Sequence, residues 1–314
     1  MKVVNISCEK LAEVVQFYTD SLGFRIDTVF PADAPRRFNL SGFGIEVVLQ
    51  SLATITAIGS KSDNDQNLLV TTLVDSTFGD GRAGMEYRDL VKHRYGGQLI
   101  ASHIRIQKGG PVPDYIHHHD VFFQMIFCVS GWVRVVYEDQ GQAIIMRKGD
   151  CVLQPPHIRH QVLECSDELE VVEITCPAEH ETFVDHKMSL PNESINNDRE
   201  FQGQKFLFSQ ANRAQWKLSK DADYEFYDTG IGVSSKGIAS VLVVRSISEK
   251  HSFKITPVNK LRFCFVISGS AMLSSDSDYL LKSGDAFTMS PGVESYLKDI
   301  SKNFEFLEVN VVSQ

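Results

Sequence analysis

Three consecutive histidines, His117, His118 and His119, stand in the stretch DYIHHHDVFFQMIFCVSG from Asp114 to Gly131. Imidazole nitrogen is a good donor to divalent zinc, iron, nickel and copper. Side chains alternate along a strand, so His117 and His119 share one face while His118 points the other way. Gln124 lies an odd number of residues beyond His119. It rejoins that face only if the chain bends within 120–123 and a new strand carries it back. In GDCVLQPPHIRH, Gly149 to His160, a glycine-aspartate turn, a short strand and the Pro155-Pro156 bend present a further imidazole, His160. Four nitrogen or oxygen donors from adjacent strands could then share one ion. Histidines alone would read better as a solvated strand edge.

Other chemistry-bearing residues surround this set. Tyr115 has the parity of His117 and His119 and is expected in the same pocket. In IASHIRIQ, Ile100 to Gln107, an apolar face alternates with a polar face carrying His103 and Arg105. If the polar face lines a barrel mouth, those two could bind a substrate carboxylate or move a proton; if it faces water, they only aid solubility. Arg159 is expected to turn outward. RAGMEYRDL, Arg82 to Leu90, with Tyr87, Arg88 and Asp89, reads as a capping loop rather than a lid, and His180 and His186 read as surface residues.

The elements that must position these groups fall into three units. Val3 to Ser7 is extended, and Leu11, Val14, Val15, Tyr18 and Leu22 recur at helical spacing up to Gly23. Strands follow at Phe38 to Leu40 and Ile45 to Leu49. The polar run Ser60 to Asn67 marks a linker. From Leu68 the pattern is short strands broken by Gly, Pro and Asp, and a second polar interval, Ser189 to Glu200, divides it. The two blocks are internal repeats: Ile126 to Val133 aligns with Cys264 to Ala271, Gly149-Asp150 with Gly284-Asp285, Pro156 with Pro291, and Glu170 and Glu173 with Glu305 and Glu308. The second repeat has Ile255, Pro257, Arg262 and Ser295 where the first has His117, His119, Gln124 and His160, so it cannot bind the same ion.

Two resemblances follow. The spacing of His117, His119, Gln124 and Gly131, and then of Gly149, Pro155 and His160, resembles the two motifs of the cupin superfamily. His157 departs from the usual glycine, Glu164 from a common asparagine, and Gln124 from the frequent glutamate. The resemblance implies a mainly β chain with two jelly-roll barrels of the cupin type, the first holding a divalent transition metal (Fe, Ni, Mn or Zn) on His117, His119, Gln124 and His160. An amide in place of a carboxylate leaves more of the ion's charge uncompensated, which favours an anionic substrate. The start of the chain, with FYTDSLGF at Phe17 to Phe24, resembles one module of the vicinal oxygen chelate (glyoxalase and bleomycin-resistance) family, a small βαβββ-like α+β unit. No second such module follows, so a structural or dimerising role is expected. The expected limits are 1–58, 68–188 and 201–314.

The resemblance to bicupin dioxygenases implies Fe(II) chemistry on an aromatic or enol-type acid, with Tyr115, His103 and Arg105 as catalytic candidates. A resemblance to uronate-processing cupins implies instead isomerase, lyase or ring-opening chemistry on an acidic sugar. A non-catalytic small-molecule sensor is the third reading. The 314 residues carry a net charge of −9, so phosphate backbones repel the chain and nucleic acid is not an expected partner. Apolar runs fall short of membrane-spanning length, and no phosphate-binding glycine loop or serine elbow is present. Six cysteines without a CxxC pair read as reduced core thiols. A cytoplasmic homodimer is expected.

Overall fold

A computed structural model describes residues 2–52, 67–220, 224–247 and 252–312. Most of the expected linker, residues 60–66, lies outside the described residues. The chain is mainly β, with two barrels of matching topology preceded by a small α+β unit.

The N-terminal unit runs strand Lys2–Cys8, helix Leu11–Gln16 continued by a wider turn Phe17–Ser21, then strands Arg25–Phe30, Arg37–Gly42 and Ile45–Ser51. The first and last strands pair in parallel. Leu11 and Val15 of the helix pack on Leu40, Val47 and Leu49 of the sheet, closing a small apolar core.

The first barrel joins a seven-stranded sheet to a ten-stranded one that continues into the N-terminal unit, and the second joins a seven-stranded sheet to a four-stranded one. In the first, strands Phe123–Ser130, Leu169–Cys176 and Ile100–Ile106 run side by side. Most of their residues are buried, on both faces, and apolar positions predominate. One face, with Ile104, Ile126, Leu169 and Val171, lines the barrel interior. The other, with Met125, Phe127, Val172 and Ile174, packs on Val241, Phe263, Phe265 and Leu307 of the second barrel. The shared core thus lies between the barrels.

The repeat is exact in register. Both central strands carry a bulge at the same place, between Cys128 and Ser130 and between Val266 and Ser268, where Ser130 faces Glu170 and Ser268 faces Glu305. Both glycine-aspartate turns need a positive φ, 87° at Gly149 and 88° at Gly284, which glycine supplies without strain. In each turn one aspartate oxygen accepts from a backbone N–H three residues earlier, Arg147 or Lys282. The other oxygen accepts from an exchanged segment: Ala211 for Asp150 and Leu73 for Asp285. The strands before those segments have crossed over, because Leu207–Ser209 pairs in the first barrel and Leu68–Thr71 in the second.

Segment 82–90, expected as a loop, contributes strand Glu86–Asp89, paired to Ile100–Ile106. Its alternation of Tyr87 and Arg88 is that of a strand with two buried faces. Five of the six cysteines are buried and all are unpaired. Among the described residues no helix is long and apolar enough to cross a membrane.

Candidate metal centre

The ligand strands come together because the barrel closes around them. His117 faces His160 across an antiparallel pair, and His119 lies two residues on, on the same face. The donor atoms of His117, His119 and His160 lie within 4.8 Å of one another and all three residues are buried. The Nδ1 atoms of His117 and His160 sit 2.8 Å from the Tyr115 carbonyl and 3.0 Å from the Ile158 carbonyl. A carbonyl only accepts, so both imidazoles carry their proton on Nδ1 and the lone pair on Nε2. His119 Nδ1 is 2.8 Å from the Thr182 hydroxyl. Such outer partners fix the tautomer a metal needs. His118 points the other way, stacked on Phe183.

The bend demanded by Gln124 is present, because strand His117–His119 ends before strand Phe123–Ser130 begins. Gln124 Nε2 donates to Glu173 Oε1 at 2.6 Å. That turns its carbonyl oxygen, the ligating atom of an amide, away from Glu173. The Thr175 hydroxyl donates to the same Glu173 oxygen at 3.3 Å.

Three groups that the sequence did not assign to the site join it, one of them, His180, expected at the surface. Glu173 lines the cavity beside His119 and Gln124. Its signal is a carboxylate in the inward set Leu169, Val171, Glu173 and Thr175. Gln154 is 1% exposed. Its Oε1 accepts from the Tyr137 hydroxyl at 2.7 Å, while its Nε2 is buried without a partner among the described residues. Its signal is an amide at the end of the apolar strand Cys151–Leu153. His180 is buried rather than on the surface, its ring 5.3 Å from that of His119. Neither of its nitrogens makes a well-formed hydrogen bond, and burial holds it below the ordinary histidine value. Nothing in its local sequence separates it from a surface histidine.

The main cavity has mostly apolar walls, among them Met85, Ile104, Ile126, Val133 and Met146. A smaller one beside it shares Tyr87, His119 and Glu173 and is closed by His180 and by Ala32 and Asp33 of the N-terminal unit. That unit is joined to the site directly. Its strand Arg25–Phe30 pairs with Thr182–Val184, which pairs with the ligand strand His117–His119. Ion pairs Arg36–Glu179, Arg37–Glu181 and Arg94–Asp33 flank the junction.

The remaining candidates lie elsewhere. The Tyr115 ring packs edge-on against His117 at 5.7 Å, and the ring is not among the groups lining the cavity. His103 and Arg105 are on the face turned away from the cavity; buried His103 fits neither of the two expected settings, while Arg105 is partly open to water. His103 is 3% exposed, at the seam between the barrels. Arg88 Nη2 donates to its Nδ1 at 2.8 Å and its Nε2 donates to Glu170 at 3.0 Å, with Phe78 and Phe265 against the ring. Arg105 pairs with Glu86 and lies over Phe78. Strand parity explains both: the apolar face of Ile100–Ile106, not the polar one, lines the barrel. Arg159 turns outward to Glu138 and Asp185. His186 is exposed, as expected, with its Nε2 on the Ile26 carbonyl.

Comparison with known proteins agrees with this architecture. Residues 102–175 match the family model of the cupin domain. No curated protein matches the chain in sequence. Among solved structures, a mutant of oxalate decarboxylase from Bacillus subtilis superposes with a TM-score of 0.57 at 14% identity, over 78% of this chain and 78% of that one. Protein Ylba from E. coli superposes with a TM-score of 0.57 at 10% identity, over 79% of this chain and 92% of that one. At such identities the likeness is one of fold.

Proposed function

We propose that this chain is a metal-dependent cupin enzyme acting on a small organic anion, with one divalent transition metal (Fe, Ni, Mn or Zn) on His117, His119, His160 and the Gln124 carbonyl oxygen. The observation that carries the reading is the donor set itself. Three buried imidazoles, two of them fixed as Nδ1–H tautomers, hold their donor atoms within 4.8 Å of one another, and two of the three, His119 and His160, line a cavity that also holds one carboxylate and one orphan amide donor. When bound, such an ion supplies Lewis acidity toward a substrate carboxylate, carbonyl or hydroxyl.

The residues of the chain do the rest. Gln154 Nε2, held by Tyr137 through its other end, donates to a substrate oxygen and so repairs its own unmet hydrogen bond. Glu173, oriented by Gln124 and Thr175, accepts a proton from the substrate and returns it. The apolar walls keep water from competing for that proton. A carboxylate in this place favours non-redox isomerase or lyase chemistry. The likeness to oxalate decarboxylase, studied for its Mn(II) centres, supports a carboxylate substrate and keeps manganese among the candidate ions. Oxygen-dependent cleavage of an aromatic acid is the second reading, favoured by the broad apolar wall of Ile104, Ile126 and Met146.

The proposal extends to the unit limits 1–58, 68–188 and 201–314 and to the N-terminal unit as a vicinal-oxygen-chelate-like half, which its βαβββ order supports. Homodimerisation through strand Lys2–Cys8 is part of it, since that strand ends its sheet and such edges recruit partners. So is a cytoplasmic location, which the unpaired thiols support.

The test is elemental analysis of protein purified without added metal, then reloading of the stripped protein. Assays in nitrogen and in air follow, on hydroxy, keto and uronic acids and on aromatic diol acids. Turnover in nitrogen supports the first reading, and oxygen uptake matched to product supports the second. Tight binding of one acid without turnover would leave a sensor. Retention of metal and turnover by His119→Ala would end the assignment.

A further inference from the structure

The second barrel holds a cavity of about 210 Å³ in the place that the metal-site cavity holds in the first. Register shows the correspondence. Ile255 faces Ser295 as His117 faces His160. Arg262 faces Asn310 as Gln124 faces Thr175. Leu242 faces Glu308 as Ser102 faces Glu173.

Where the first barrel sets an amide among imidazoles, the second sets the guanidinium of Arg262, 4% exposed, in the cavity wall. Its inner edge is engaged. Nε donates to Asn310 Oδ1 at 3.1 Å, with Glu308 Oε2 at 3.6 Å, and Asn310 Nδ2 donates to Glu308 Oε1 at 2.8 Å. The outer edge, Nη1 and Nη2, makes no hydrogen bond to any described residue. A guanidinium has five N–H donors, and because Nη1 and Nη2 are not among the buried atoms left without a partner, they open onto the cavity, where a ligand would take the place of water. The side of the fork left open is the one that accepts a carboxylate through two parallel bonds.

The surroundings narrow the ligand. Tyr224, Phe226, Phe253 and Phe306 line the cavity, and the Tyr224 and Phe253 rings stand 5.0 Å apart. Such walls suit a flat or branched apolar body. Arg262 and Glu308 already sum to zero, and Lys254 pairs with Glu294. A ligand carboxylate is therefore held by the two parallel bonds of the open fork rather than by unmatched charge, and a second carboxylate would find no cation to meet it. We infer that the second barrel is a binding site for a small monocarboxylate with an aromatic or aliphatic body, clasped by Nη1 and Nη2 of Arg262. This site needs no metal and stands apart from the reading of the first barrel.

The experiment is calorimetric titration of the full, chelator-stripped chain with benzoate, phenylacetate and hexanoate, with benzamide as a neutral mimic of benzoate. At least one acid binds, and benzamide binds about tenfold or more weakly than benzoate. Arg262→Lys keeps a cation beside Glu308 but loses the fork, and weakens binding about tenfold. The double variant R262Q/E308Q removes the pair together and abolishes binding, with its melting curve showing that it is folded. The first-barrel variant H119A/H160A binds as the parent does. The inference is overturned if none of the three acids binds, if benzamide matches benzoate, or if Arg262→Lys leaves affinity unchanged. Loss of binding in H119A/H160A overturns it too, since the acid would then occupy the first barrel. Should the double variant not fold, Arg262→Lys decides alone.

Discussion

The two barrels share their bulges, their glycine-aspartate turns and the register of their central strands, yet their interiors are charged in different ways. In the first, imidazoles backed by the Tyr115 and Ile158 carbonyls leave a place for a cation to be added. In the second, the cation is built in, as Arg262 beside Glu308. A jelly roll tolerates either solution because the shell, not the centre, carries its packing. Phe263, Phe265, Phe127 and Val172 meet between the barrels whatever the interiors hold. The same duplication that preserved the fold therefore left its two cavities open to separate chemistry.

The largest contrast is in metal retention. Metal stoichiometry, read by elemental analysis after dialysis, is expected near one per chain and near zero in His119→Ala, while Pro257→Ala at the matching position leaves it at one. Added metal raises the melting temperature of the parent, because a ligand that binds only the folded state stabilises it, and does nothing for His119→Ala. Metal lost from Pro257→Ala instead would reverse the assignment of roles.

The second contrast concerns the built-in cation. Arg262→Met strands the Glu308 carboxylate in a buried setting and should cost about 3 kcal/mol in urea unfolding, in the range seen when one partner of a buried pair is removed. R262M/E308Q recovers most of that loss. Equal stability of the single and double variants would mean that Arg262 and Glu308 are not coupled, and the electrostatic part of the comparison would fall.

Much of this was legible beforehand, for physical reasons. His117, His119 and His160 stood out because strand parity needs no tertiary information, and the repeats stood out because bulge and turn chemistry is local: only glycine meets φ near 87° cheaply, and only a short acid ties the turn. Other features were hidden. The sequence of Ile100 to Gln107 shows two faces but not which one is inside. Here the barrel took the isoleucines, and a second barrel buried His103 on the far side. Glu173 and Gln154 sat in plain sight within apolar strands, since an inward polar residue is costly unless it is used. His180 could not be found, because its burial depends on the N-terminal unit closing over it through Ala32 and Asp33.

A smaller effect tests how the N-terminal unit reaches the metal. Thr182 ends the chain of pairing from strand Arg25–Phe30 to the ligand strand, and its hydroxyl meets His119 Nδ1. Thr182→Val keeps the shape and removes the hydrogen bond. Metal affinity, measured by competition with a chelator, should fall about tenfold, the lower end for loss of such an outer partner, with folding stability little changed. An unchanged affinity would show that the strand only carries His119 and does not set its tautomer.

The smallest effect lies at the seam between the barrels. His103 accepts from Arg88 at Nδ1 and donates to Glu170 from Nε2, a pattern only the neutral ring can make. Burial is the main reason its pKa lies below the ordinary value, against the opposing pull of Glu170. The sign follows from linkage: the unfolded chain takes up a proton near the usual histidine pKa of about 6.5, the folded chain does not, and stability falls as pH drops below that value. Glu170, held below the usual carboxylate range chiefly by its bond to His103, adds a loss of the same sign at lower pH, when the unfolded carboxylate protonates first. Urea midpoints between pH 7.5 and 5.5 should therefore decline for the parent and decline less for His103→Gln, which keeps an acceptor for Arg88 and cannot titrate. Equal slopes for the two proteins would remove His103 from the account and leave the seam held by its aromatic contacts alone.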